Sequence, residues 1–166
     1  MTAMDRIRLR MSRHSAEEHG STLVEFAVCV VLLLTLLFGI VDFARAMYAW
    51  AFVSWAAQSG TRYAIVRGAT WTGTTCATTA TQDCDASSAN VTSYVQGLAP
   101  PGITSSSVQV NPQWPASTPD GASCATANGQ GCFVKVTVSY TFHFITPFLP
   151  ASGINLSSTS EQVIQE

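Results

Sequence analysis

Residues Phe26 to Val41 read FAVCVVLLLTLLFGIV, an uncharged run with Glu25 standing directly before it. As a helix, Thr22 to Val41 would extend about 30 Å at 1.5 Å per residue, one hydrocarbon thickness of a bilayer. The stretch therefore predicts a membrane-spanning helix. A charge inside such a span costs roughly 2.5–3.5 kcal/mol at the helix centre and less near an interface. Glu25 at the mouth of the run is thus a residue with a use to be found. Upstream, Arg6, Arg8, Arg10 and Arg13 form a basic leader of the kind retained on the cytoplasmic side.

Helical spacing continues beyond the run. Ala44, Met47, Ala51, Trp55, Ser59 and Val66 recur as a stripe able to support a small domain, with Gly68 as a stop. The first helix is therefore expected from near Gly20 to about Val66. Ala46, Ala49, Ala56, Ala57 and Gly60 keep it slim and allow close approach of a neighbour. Asp42 and Arg45, three apart, read as a solvated surface pair.

The remainder predicts a small α+β domain. Val91, Tyr94, Val95 and Leu98 mark a short amphipathic helix over 89–98, ended by Pro100-Pro101-Gly102. Asn90-Val91-Thr92 fits the glycosylation sequon and reads as a chance match. Val108 and Val110 mark a first short strand, after which Pro112, Pro115 and Pro119 predict a loop. Val134 to Phe144 alternates without a break, apolar at even positions and polar at odd ones, the pattern of a strand with one covered face. Pro147 to Pro150 forms an apolar turn. A return strand from Ile154 to Gln165 loses parity between Leu156 and Val163, which predicts a bulge or frayed edge. The long helix is the surface available to cover the sheet.

Cys29 lies within the apolar run, whereas the other four cysteines form two equally spaced pairs, Cys76 with Cys84 and Cys124 with Cys132. Four cysteines permit three connectivities, and the matching short loops favour pairing within each loop. The rival is a zinc site, but the pairs lack the usual zinc spacing and His143 is the only downstream histidine. Disulfides require an oxidising compartment, in agreement with a span whose N-terminus is cytoplasmic.

Composition narrows the function. Only 11% of residues are charged, against about 25% in soluble domains. Beyond residue 20 the chain holds Arg45, Arg62, Arg67 and Lys135 against seven carboxylates, a net charge of −3. Nucleic acid, which demands basic surface, is excluded as a partner. No GxSxG, HExxH or P-loop occurs, and His143 falls on the polar face of its strand. The chain is expected to be no enzyme and to use neither cofactor nor metal.

Gly20-Ser21-Thr22-Leu23-Val24-Glu25-Phe26 resembles the processing site of type IV prepilins and pseudopilins. In those families a membrane peptidase cuts after glycine, and glutamate stands fifth in the mature chain. Val24-Glu25-Phe26-Ala27, Phe38-Gly39-Ile40-Val41-Asp42-Phe43 and Ala56-Ala57-Gln58-Ser59-Gly60-Thr61-Arg62-Tyr63-Ala64 are similar to motifs of the TadE-like family of the tight-adherence (Tad) pilus machinery. The strand ending in ITPFLP is similar to that family's C-terminal part. Val31 replaces a common proline, Gln58 and Thr61 replace arginine and alanine, and Glu17, Glu18 and His19 stand where basic residues are commoner.

The resemblance implies a pilin-like plan: a leader over 1–20, a transmembrane and extended helix over 21–67, and an extracytoplasmic domain over 68–166. It implies processing after Gly20, with Ser21, Glu25 and Phe26 at the new N-terminus. Glu25 would serve subunit assembly by neutralising a neighbour's amino terminus. The implied partners are a prepilin peptidase, other pilin or pseudopilin subunits, the Tad secretion machinery and the bacterial inner membrane. Two alternatives stay open: an uncleaved single-span protein, and a secreted binding domain cleaved after Ala46 of the Ala44-Arg45-Ala46 motif.

Overall fold

The first 99 residues contain no proline, and most of them build one long helix. In this computed structural model, which describes residues 3–72 (backbone alone over 3–19), 85–146 and 152–165, α1 runs from Ala3 to Ile65. It starts well before the expected position near Gly20. The leader is rich in Ala, Arg, Met and Glu, all good helix formers, and a single interior glycine costs only about 1 kcal/mol. The loop carrying Cys76 and Cys84, and the turn Pro147 to Pro150, lie outside the described residues. The chain divides into two compact units, Met1–Phe43 and Ala44–Glu166.

The first unit is helical. From Leu23 to Val41 its large apolar side chains face outward, Leu23 and Phe26 at 70% exposure each. The Gly20–Ile65 stretch is long and apolar enough to cross a membrane, and none of its apolar window is buried. Asp42 departs from the solvated reading: it is only 3% exposed and retains a polar contact. Burial of a carboxylate without such contact would be prohibitive.

The second unit packs the outer part of α1 and a shorter helix, α2 (Ser88–Gly97), with a three-stranded antiparallel sheet. The strands are β1 (Val108–Gln113), β2 (Phe133–Phe142) and β3 (Ile154–Val163), in the order β1-β2-β3. Alternation in β2 is realised as expected, with Val134, Val136, Val138 and Phe142 buried. Ser87 caps α2, its Oγ accepting from the Asn90 N–H at 3.3 Å. Val91 and Val95 enter the core, and Gln96 Nε2 donates to the Val108 carbonyl at 3.0 Å, tying α2 to β1. The Asn90 amide donates to both the backbone carbonyl and Oδ1 of Asp85 at 3.0 Å. Its side chain is thus a buried tether in front of α2, in keeping with a chance sequon.

The face of α1 that enters this core is opposite to the expected stripe. Ala49, Phe52, Val53, Ala56, Ala57, Gly60, Thr61 and Ala64 are buried, whereas Met47 and Trp55 are half exposed. An apolar helix on all sides gives periodicity no means of choosing a face. The close fit of α1 to α2 and β2 around Gly60 decides instead. A Cβ placed on Gly60 would stand 2.7 Å from Val95 Cγ2 and 3.1 Å from Val136 Cγ1, so α1, α2 and β2 meet there at closest approach.

The same closeness explains β3. Its ten residues keep one register against β2, from Phe133↔Val163 to Phe142↔Ile154, with no bulge. Parity holds because the inward positions include Ser158 and Ser160, which sequence alone reads as outward. Ser54 Oγ lies 3.4 Å from Ser158 Oγ. Thr61 Oγ1 donates to the Ala57 carbonyl at 2.8 Å and to the Ser160 carbonyl at 3.3 Å. Small hydroxyls fit where α1 runs too near for valine or leucine. Pro112, expected in a loop, pairs with Val136 inside β1; an edge strand tolerates its missing N–H.

Gly60→Val should lower the stability of the outer unit by about 1–3 kcal/mol through overpacking, whereas Trp55→Ala should change it little. Thermal unfolding of the full chain in detergent measures both, and equal losses would contradict the assignment of buried and exposed faces.

Candidate processing and assembly site

Gly20, Ser21, Glu25 and Phe26 all lie on α1, and all are exposed. Among the described residues, nothing approaches within 4 Å of a Cβ built on Gly20, so its lack of a side chain answers no packing demand there. A glycine there leaves the helix locally weak and sterically open, two properties that suit a backbone to be cut. Glu25 and Phe26 present a carboxylate and an exposed aromatic ring one turn further on.

The spacing carries geometry of its own. Ser21 and Glu25 are four residues apart, so they share one face of α1, with a rise of about 6 Å between them. Gly20 lies off that face. Within the apolar run, Thr35 Oγ1 donates to the Val31 carbonyl at 2.8 Å, so its hydroxyl is satisfied inside the helix. Backbone N–H and C=O groups of a lipid-facing helix must likewise be satisfied internally. Helix α1 passes Val31 without interruption.

Far along the chain, Cys124 and Cys132 are joined, with Sγ–Sγ 2.03 Å and Cα–Cα 6.2 Å. The bond closes the loop over 125–131, with Cys132 in the core and Cys124 packed against it. Just before it, a turn is closed by a Ser117↔Ser123 bridge and by the Thr118 N–H donating to the Ala122 carbonyl at 3.0 Å. The Phe133 N–H, at the start of β2, donates to the Ser117 carbonyl at 2.9 Å. Cys29 is a free thiol exposed on α1. His143 is exposed beyond the end of β2.

Sequence reasoning missed two features. One is the outward apolar face of the outer α1 segment, where Met47, Tyr48, Trp50 and Trp55 stand about half exposed. The signal was the run of alanine and glycine on the opposite face. The other is a cavity beside Arg45, which brings together residues from α1, β2 and the segment after α2; no local pattern announces it.

Reduction of the Cys124–Cys132 bond, or replacement of both cysteines by serine, should cost the outer unit about 2–3 kcal/mol on the chain-entropy estimate. Non-reducing peptide mapping should also find Cys76 joined to Cys84 and Cys29 free. Bonds crossing between the two loops would contradict this pairing.

No curated protein and no solved structure matches the chain. Residues 20–62, from the glycine at the head of the apolar run to the last arginine of α1, match the family model described as TadE-like protein, the family its motifs resemble.

Proposed function

We propose that this protein is a pseudopilin or minor pilin that takes part in assembly of a Tad pilus, after a prepilin peptidase cuts between Gly20 and Ser21. One observation carries the reading: the TadE-like match begins at Gly20 itself and runs through an exposed helix long and apolar enough to span a membrane. Its role is structural and not enzymatic. The protein waits in the bacterial inner membrane with residues 1–20 in the cytoplasm and the stapled domain outside. Trimming then frees the Ser21 amine.

In assembly, α1 packs its apolar surface against other subunits. Glu25 supplies the counter-charge for a neighbour's amino terminus, so that two charges among apolar helices satisfy each other. The Cys124–Cys132 bond supports an oxidising location for the outer unit. A globular part of this size fits a minor subunit at a tip or initiation complex better than the bulk of a fibre.

Intact-mass analysis of protein made alongside the peptidase should find Ser21 at the N-terminus, and Gly20→Ala should reduce cutting. A chain starting at Met47 would instead support a secreted domain, and one retaining residues 1–20 an uncleaved anchor. Glu25→Leu should insert at least as well as the wild type while pilus formation falls sharply. Normal pili from that variant would rule out the proposed charge pairing.

A further inference from the structure

Charges in the outer unit are few, and nearly all have a counterpart. Arg67 stands over the rings of Tyr63 and Trp71, its guanidinium carbon 4.4 and 5.3 Å from their centroids, and Arg45 is likewise engaged. The Asp85 carboxylate accepts from the Asn90 amide at 3.0 Å. Lys135 and Glu161 are cross-strand partners in β2 and β3. Two side chains of opposite sign remain. Both Arg62 and Asp120 are exposed, and among the described residues neither side chain has a hydrogen bond or an ion pair.

Arg62 lies in the last turn of α1, at a cavity of about 370 Å³ lined by Trp55, Ser59, Arg62, Tyr63, Arg67 and Tyr94. Its wall is aromatic. Tyr63 and Tyr94 stack with 4.5 Å between ring centroids, and the Trp55 side chain is half exposed. No carboxylate lines the cavity, and Arg67 is committed to its rings, so Arg62 sets the charge that an incoming group meets.

Asp120 stands at the tip of a turn that is held stiff. The Thr118 N–H donates to the Ala122 carbonyl and the Gly121 N–H to the Thr118 carbonyl, each at 3.0 Å. The Ala122 N–H donates to Thr118 Oγ1 at 3.0 Å, Gly121 closes the turn at φ +81°, and Pro119 fixes its own φ. A turn already ordered loses little entropy on docking. Both tip residues, Pro119 and Asp120, are exposed. Proline rings dock in aromatic-lined grooves, and a carboxylate matches a guanidinium in charge and geometry. The tip therefore offers the two groups that the cavity can receive. Turn and cavity share no residue, so one chain carries both halves of the contact.

We propose that the Pro119-Asp120 turn of a second copy of this chain occupies the cavity, with Pro119 against Trp55 and Tyr94 and the Asp120 carboxylate accepting from the Arg62 guanidinium. The contact is head-to-tail: each copy offers its turn to one neighbour and its cavity to the next, which links copies in a row. One turn in one cavity is small beside the roughly 1,200–2,000 Å² of stable complexes, so the contact is weak on its own and readily reversed. It involves the outer unit alone and requires neither cutting after Gly20 nor Glu25, so it stands or falls apart from the proposed function.

Energy transfer between two labelled populations of the full chain, mixed at high concentration in mild detergent, measures the contact. Wild-type copies should associate. Arg62→Glu and Asp120→Arg should each lower association about tenfold, because each sets like charges against one another. Arg62→Gln, which only removes a charge, should lower it about threefold. An equimolar mixture of the two reversed variants should associate as the wild type does, the intact Asp120 of one meeting the intact Arg62 of the other. Glu161→Gln should change nothing, and every variant, being altered at an exposed position, should unfold at the wild-type temperature. Absence of wild-type association, or undiminished association of the reversed variants, would overturn the contact. A loss that mixing fails to recover would overturn the second copy as occupant of the cavity.

Discussion

The close approach of α1 to the sheet at Gly60 is the constraint on which the outer unit depends. Within that contact there is no room for a Cβ between the helix backbone and Val95 or Val136. Every neighbouring choice follows. Around Gly60 the helix offers Ala56, Ala57, Thr61 and Ala64 to the core, with Phe52, Val53 and Tyr63 buried to either side, and the sheet answers with valine on β2 and serine on β3. On the outer face Met47, Trp50 and Trp55 are left about half exposed. A slim contact at Gly60 and an aromatic outer face thus belong to one helix.

An exposed aromatic and aliphatic face is costly in water. At about 25 cal/mol per Å² of apolar surface, the outward residues of α1 from Leu23 to Trp55, most of them about half exposed or more, represent a large unfulfilled burial of the kind that marks an interaction surface. Lipid can satisfy it, and so can other helices of the same kind. Lipid tails are as apolar as leucine, so moving from one to the other costs little in hydrophobic terms. Under the proposed role, small shifts in packing or charge can therefore decide between membrane and assembly. The remaining polar groups of the helix, Glu25 above all, gain influence out of proportion to their number.

Legibility in the sequence followed the length scale of the pattern. The long apolar helix, β2 and α2 were readable because each is a regular run whose period needs no knowledge of its partner. The inward face of α1 was not readable, since both of its faces are apolar and only the shape of the sheet selects one. The continuity of β3 was hidden for the same reason: Ser158 and Ser160 look solvent-facing until Ser54 and Thr61 are seen beside them. Pro112 misled because its tolerance depends on β1 being an edge. For the candidate site, Gly20, Ser21, Glu25 and Phe26 were singled out by motif spacing, and the structure places all four, exposed, on one helix. The Arg45 cavity was invisible, being assembled from three distant segments.

Spacing at the head of α1 adds a constraint on how assembly would proceed. Under the proposed processing, the Ser21 amine and Glu25 share a helix face within one chain, about 6 Å apart along the axis. A subunit alone in lipid can therefore shelter its new charge with its own carboxylate, at a separation where the low dielectric makes attraction strong. Joining a neighbour then exchanges one partner for another and does not bring two bare charges together in an apolar medium. The exchange is close to balanced electrostatically, so its direction is left to helix packing. Glu25 on this view lowers the barrier to joining and leaving an assembly alike, while the faces of α1 determine where the subunit comes to rest.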